Sequence, residues 1–170
     1  MANDNIKLSS STEDYLEMIY LIDNQKKNVR VKDISSKMGV TMPSVNQALT
    51  ILCDHRLVNH EKYGYIELTA RGRKRAIDIY SRHKILFRFL NDILDVPEEI
   101  AEQDACSIEH SISPSALDGL LAFVEFVDTY PLGRNPQWMQ SFMHFRKTGK
   151  RPSECEDRIK RSGERKKVGR

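Results

Sequence analysis

Cysteine is scarce. Cys53, Cys106 and Cys155 are three in 170 residues, odd in number and widely spaced, so no disulfide framework is expected. No run of eighteen apolar residues exists, which excludes a membrane-spanning helix from the sequence. The opening MANDNIKLSS lacks the charged-then-apolar pattern of a secretory leader, so a cytoplasmic location is expected. There is no internal repeat, no low-complexity tract before the C-terminal tail, and no HExxH or other dedicated catalytic motif. What is present, 39% hydrophobic and 30% charged residues, describes a globular chain of one or two small domains. Its net charge of +3 is uneven: residues 131–170 hold 12 Lys/Arg against 4 Asp/Glu, the rest 15 against 20. A basic extension on a mildly acidic body suits an anionic partner or simple solvation.

The most informative stretch is Asp104-Ala-Cys-Ser-Ile-Glu-His110. Cys106, Glu109 and His110 fall at i, i+3 and i+4, so on a helix they share one face. A thiolate, a carboxylate and an imidazole on that face suit a divalent transition metal, but three ligands do not close a site. Further donors must come from elsewhere in the chain.

Residues 1–8 read as disordered. Ser9 to Asp14 is dense in helix-capping residues, and the helix that follows points Tyr15, Met18, Ile19 and Ile22 to a core. Asp14 and Glu17 lie on this helix; taken alone they are acids placed favourably near a helix N-terminus. Residues 24–28 make a turn and 29–31 an extended entry. A short helix over 32–38, with Ile34 and Met38 inward, stops at Gly39. Thr41 caps a second helix, with Pro43 in its first turn and Val45, Leu49 and Leu52 buried, running to about His55. Two short helices around a glycine-containing turn match a helix-turn-helix. Strands over 58–62 and 65–68 around Tyr63-Gly64 form a hairpin, the wing of a winged helix.

Thr69 caps a long helix to about Leu94, with Ala76, Ile79, Tyr80, Ile85, Leu86, Phe89, Leu90 and Ile93 as its apolar stripes. His83 lies in its middle; a lone histidine there is ordinarily a core or surface group. Asp95-Val-Pro97 breaks the helix. The helix holding Cys106 spans 98–111. Another begins at Ser113, buries Leu117, Leu120, Leu121, Val124 and Val127, and closes at Pro131-Leu-Gly133. Trp138, Met139, Phe142 and Phe145 keep near-helical spacing over 136–148. After Gly149 the tail is charged and expected to be mobile. The fold class is therefore mostly α. An N-terminal winged helix-turn-helix (1–72) precedes an all-helical domain for dimerisation and metal binding (73–130) and a basic extension (131–170).

Thr41, Met42, Pro43, Ser44, Asn46 and Gln47 open the second helix of the helix-turn-helix. Thr41, Met42, Ser44, Asn46 and Gln47 lie outside its buried stripe. Asn and Gln pair with adenine edges, and small apolar atoms meet thymine methyls. Lys62, Arg71, Arg73, Lys74 and Arg75 around the wing suit phosphate contacts. The plain alternative is a solvated face.

With these motifs in place the chain resembles the metal-dependent repressors of the diphtheria toxin repressor and manganese transport regulator family. The resemblance covers about residues 9–128. It rests on Thr12-Glu-Asp-Tyr-Leu-Glu-Met-Ile-Tyr20, the helix-turn-helix, Leu68-Thr-Ala-Arg-Gly72, Arg82-His83 and Ala105-Cys-Ser-Ile-Glu-His110 followed by Ser113. It implies ligands at Asp14, Glu17, His83, Cys106, Glu109 and His110. One site would use Asp14, Cys106, Glu109 and His110; a second would use Glu17 and His83 and share Glu109. It also implies two ions per subunit, Fe²⁺ or Mn²⁺, and a homodimer on palindromic double-stranded DNA, controlling genes of metal homeostasis. Manganese-type members have a glutamate at the position of Cys106, and diphtheria-type members have methionine at the position of Asp14; this chain mixes the two. Phe87 stands where diphtheria-type members carry an ancillary glutamate, and residues 131–170 are too few for their SH3-like domain. Two readings compete: a metal-independent winged-helix regulator and a winged helix for protein contacts. A metallohydrolase with Glu109 as base has no supporting motif.

Overall fold

The computed structural model describes residues 8–61, 64–130 and 136–152. Of residues 1–8, expected to be disordered, Leu8 instead packs against a hydrophobic core; residues 1–7, the closing turn at 131–133 and, of the charged tail, residues 153–170 lie outside the described residues. Helix α1 spans Ser10–Gln25, and the Ser9 hydroxyl accepts from the Thr12 N–H at 3.2 Å. Tyr15, Leu16, Ile19 and Ile22 are buried, and Met18 packs at the edge of the same core. Of the extended entry at 29–31, only Val29 pairs, bridging to Ile66. The Asp33 carboxylate accepts the Arg30 N–H at 2.9 Å, so Val31 already opens helix α2, Val31–Met38. Gly39 ends α2 at φ 66°, a backbone that a Cβ disfavours. Helix α3 spans Met42–Asp54, capped by Thr41, with Val45, Ala48, Leu49 and Leu52 inward.

Strands β1 (Val58–His60) and β2 (Ile66–Leu68) pair antiparallel, Val58 opposite Leu68 and His60 opposite Ile66. They are shorter than the hairpin pattern suggests, and the tip residues Lys62 and Tyr63 lie outside the described residues. Helix α4, Ala70–Arg88, is capped by Thr69, whose hydroxyl accepts from the Gly72 N–H at 2.9 Å. A Cβ on Gly72 would sit 1.8 Å from the Leu57 carbonyl oxygen, so this crossing of α4 over the strand entry admits only glycine.

The long helix does not run unbroken to Leu94. Phe89–Ile93 forms a π-helical turn, with Leu94 N–H bonding back to Phe89 at 3.0 Å. The wider turn brings Ile93 and Leu94 into a second core with Val124, Val127 and Met139. Helix α5, Glu98–Glu109, ends with His110 as its cap, slightly short of the expected Ser111. Helix α6, Pro114–Asp128, stops before Pro131, because the Thr129 hydroxyl returns to the Glu125 carbonyl and Asp128 takes Arg88 at 2.6 Å. Only Val124 and Val127 of its expected core stripe are fully buried; Leu121 is exposed. Helix α7, Gln137–Thr148, lays Trp138, Met139 and Phe142 on the second core.

The first core holds α1, α2, α3, the strands and the N-terminal half of α4 through Ala76 and Ile79. The second holds the π-helical turn that follows α4, Phe89–Ile93, with α6 and α7. Helix α4 thus leads from the first core to the second, packing on both α1 and α5. No helix among the described residues is long and apolar enough to cross a membrane.

Candidate metal centre

Three helices converge on one buried carboxylate. Glu109, in the last turn of α5, has its side chain fully covered. Helix α1 brings Asp14 and Glu17, one turn apart, and α4 brings His83 from its middle. One donor atom each from Asp14, Cys106, Glu109 and His110 lie within 4.8 Å of one another. Donors of Glu17, His83 and Glu109 do the same. All six residues singled out in the sequence therefore meet, in two groups sharing Glu109.

The electrostatics are those of crowded acids. Burial and then the charge of Glu109 push the Glu17 carboxyl up to about 7. The hydrogen bond to Glu109 raises His83 to about 9, against the effect of burial. His83 Nδ1–H donates to Glu109 Oε2 at 3.0 Å, and its Nε2 lies 3.2 Å from Glu102. For His110, burial disfavours the charged ring, but hydrogen bonds to Glu13 and Asp14 outweigh it and the net shift is upward. Burial, followed by the field of Asp14 and Glu109, pushes the Cys106 thiol up to about 11. Protons therefore hold together what carboxylate repulsion would separate.

Three features fit a divalent cation. Glu109 Oε1 is buried and makes no hydrogen bond. It lies 3.3 Å from His110 Nε2, but that N–H is directed at Asp14 Oδ1, 2.8 Å away. The carboxylates of Asp14, Glu17 and Glu109 and the thiol of Cys106 gather in these two groups. The donors mix oxygen, nitrogen and sulfur, which suits manganese, iron or later metals rather than calcium or magnesium.

Sequence reasoning missed Glu13, Arg75 and Glu102. Glu13 is buried, accepts from His110 Nδ1 at 2.9 Å and receives Arg75. A signal for Glu102 existed, since Glu102, Cys106 and Glu109 follow one another at i, i+4 and i+7 on α5. Glu13 gave none beyond standing next to Asp14. Arg75, grouped by sequence with phosphate contacts, points inward to Glu13, and Arg73 is likewise held by Asp23.

Thr41, Met42, Pro43, Ser44, Asn46 and Gln47 are all exposed at the start of α3. Met42 is half exposed, an uncommon placement for a large apolar side chain unless a partner meets it. The seventh DNA-contact candidate, Lys62, lies outside the described residues. Arg30 stacks over Tyr65 at 4.8 Å and donates to its hydroxyl at 2.9 Å, stiffening the wing base.

A winged helix-turn-helix joined through one long helix to a buried acid, histidine and thiol cluster defines a DNA-binding transcriptional regulator of the metal-dependent type, not an enzyme. The chain belongs to the iron-dependent repressor family. The family model described as the N-terminal DNA-binding domain matches residues 7–66, and that described as the metal-binding and dimerisation domain matches residues 69–137. The chain is 35% identical over 121 residues to an uncharacterised HTH-type transcriptional regulator of Methanocaldococcus jannaschii, covering 69% of this chain and 95% of that one. It is 33% identical over 118 residues to the HTH-type transcriptional regulator MntR of Bacillus subtilis, covering 69% and 82%. Among solved structures it matches a manganese-dependent transcriptional repressor in complex with manganese at TM-score 0.62 and 26% identity, over 68% of this chain and 53% of that one. It matches the metal-dependent transcriptional regulator MtsR at TM-score 0.64 and 26% identity, over 73% and 58%. The chain thus spans little more than half the length of these solved relatives.

Proposed function

We propose that this protein is a cytoplasmic repressor that binds palindromic operators when two ions of Fe²⁺ or Mn²⁺ per subunit occupy the cluster, and that it controls genes of metal homeostasis. The observation that carries the reading is Glu109, buried, with one oxygen unpartnered, and common to both donor groups. Asp14, Cys106, Glu109 and His110 would hold the first ion. Glu17, His83 and Glu109 would hold the second, with Glu109 common to both groups.

A bound divalent cation supplies the positive charge that these acids lack. Asp14 and Glu17 belong to α1 and so to the DNA-binding domain (residues 1–72); Cys106, Glu109 and His110 belong to the helical domain (73–130). Their joint engagement fixes α1 against α4 and α5, and with it the placement of α3. In a homodimer this sets the separation of two recognition helices, which must reach half-sites about 34–36 Å apart. Thr41, Met42, Pro43, Ser44, Asn46 and Gln47 then read bases, and Lys62 meets phosphate. The dimer contact uses α6, where Gly119, Ala122 and Phe126 are exposed at i, i+3 and i+7 and a Cβ on Gly119 would meet open space. Exposed Ile100 and Ile108 of α5 extend the apolar area.

The test is DNA binding by metal-stripped protein with Mn²⁺, Fe²⁺, Co²⁺ and Zn²⁺ added in turn. Affinity for specific DNA should rise at least tenfold with the activating metal. DNA binding that no metal alters would leave the metal-independent winged-helix regulator as the better reading.

A further inference from the structure

Both histidines of the cluster have a ring nitrogen on a carboxylate outside the six-residue donor set. His83 Nε2 lies 3.2 Å from Glu102, whose side chain is 61% exposed. His110 Nδ1–H donates to Glu13 at 2.9 Å, and that carboxylate is only 9% exposed and bears Arg75 on its other oxygen. The second arrangement is built; the first is a surface contact.

We propose that Glu13 is a positioning residue for the first metal site and that Arg75 acts through it. The inference rests on the metal-binding reading above. Glu13 keeps a proton of His110 on Nδ1, so the nitrogen that gives up its proton to a cation is Nε2, which faces Asp14 and Glu109. A carboxylate on the far nitrogen of a ligating histidine fixes the tautomer and ring orientation and raises the ring's basicity. Arg75 holds Glu13 from α4, so α1, α4 and α5 meet through Arg75, Glu13 and His110 before any cation arrives. The site is partly preorganised, and less of the domain closure has to be driven by metal binding.

The relay makes a chemical demand that an amide cannot meet. Glu13 accepts from two donors, Arg75 and His110. In Glu13→Gln the side chain has one oxygen. If the oxygen turns to Arg75, the amide NH₂ faces His110, forces Nδ1 to accept, and moves the ring proton to Nε2. Removing the arginine as well frees the amide oxygen to accept from His110 again.

The experiment is Co²⁺ titration of the full-length protein, with affinity from calorimetry and the near-ultraviolet thiolate-to-cobalt band reporting the first site, the only one containing Cys106. Glu13→Gln should weaken the Co²⁺ affinity of that site by about 10–100-fold. Glu102→Gln should change the band titration less than threefold. The double variant Glu13→Gln with Arg75→Met should recover part of the loss. Helical circular dichroism and melting of each metal-free variant show that the fold is intact. A Glu13→Gln titration that overlays the wild type overturns the positioning role. So does a double variant as weak as the single one, because loss of packing would then explain both. Wild-type protein that binds no Co²⁺ overturns the metal site itself and this inference with it.

Discussion

At the scale of single residues, protonation is the counterweight to metal. Glu17, raised to about 7, resists the ionisation that an unfolded glutamate completes near its ordinary 4.5, so the folded state loses stability as pH rises across that window. His83, raised to about 9, contributes stability that is present below its ordinary 6.5 and is lost as pH rises through 9. Both shifts have the same sign in the metal-free protein, whose melting temperature should fall from pH 5 to pH 9. Ligation requires the Glu17 carboxylate, neutral His83 and the Cys106 thiolate, so metal binding releases protons and tightens with pH. The gain in melting temperature on adding saturating Mn²⁺ should therefore widen between pH 6 and pH 8. Thermal denaturation at several pH values, with and without Mn²⁺, checks both; a gain that is flat across this range would contradict the coupling. Cys106 is the residue proposed to set selectivity in the same cluster. Cys106→Glu replaces a soft donor by a hard one and should lower the Co²⁺-to-Mn²⁺ affinity ratio by at least about tenfold, ~1.4 kcal/mol. Competitive titration of the two metals measures it, and an unchanged ratio would mean that the sulfur packs without ligating.

At the scale of elements, the caps and stops were the most legible features. Thr41 and Thr69 each cap the helix that the sequence pattern assigned to them, the cap-rich run 9–14 supplies Ser9, Ser113 caps the helix expected to begin there, and Gly39 ends α2 in a left-handed backbone. These are local interactions, encoded within four residues, and local sequence carries them. The π-helical turn at Phe89–Ile93 was not legible, because its apolar spacing fits an ordinary helix. The widening answers the second core, which α6 and α7 complete from far along the chain. The six clustered donors were found through the family pattern together with i, i+3, i+4 spacing, whereas the Glu13–Arg75 pair spans 62 residues and leaves no local trace. Helix α3 offers a direct test of its exposed face. Gln47→Ala should cost about 1–3 kcal/mol of specific DNA affinity while leaving metal affinity unchanged. Binding isotherms on specific and scrambled DNA distinguish this from a solvated side chain, for which neither affinity would move.

At the scale of the whole molecule, the metal centre and the dimer contact are separable. Each donor group gathers within a single subunit among the described residues, so metal affinity per subunit is expected not to require a partner. On the proposed reading DNA affinity does require one, because two recognition helices would engage together and the second engagement would be intramolecular. Ala122 is exposed on α6 between Gly119 and Phe126, and it touches neither donor group. Glutamate is a good helix former, so Ala122→Glu leaves the monomer fold undisturbed while placing two like charges where the subunits are proposed to meet. Sedimentation should show a monomer at micromolar concentration, and Mn²⁺ affinity should stay within about threefold of wild type. Affinity for a full palindrome should fall by about 10²–10⁴, the loss expected when bivalent engagement is removed, while affinity for a single half-site is unchanged. A variant that still sediments as a dimer and binds the palindrome normally would move the contact away from this face of α6, leaving α5 with its exposed Ile100 and Ile108 to supply it.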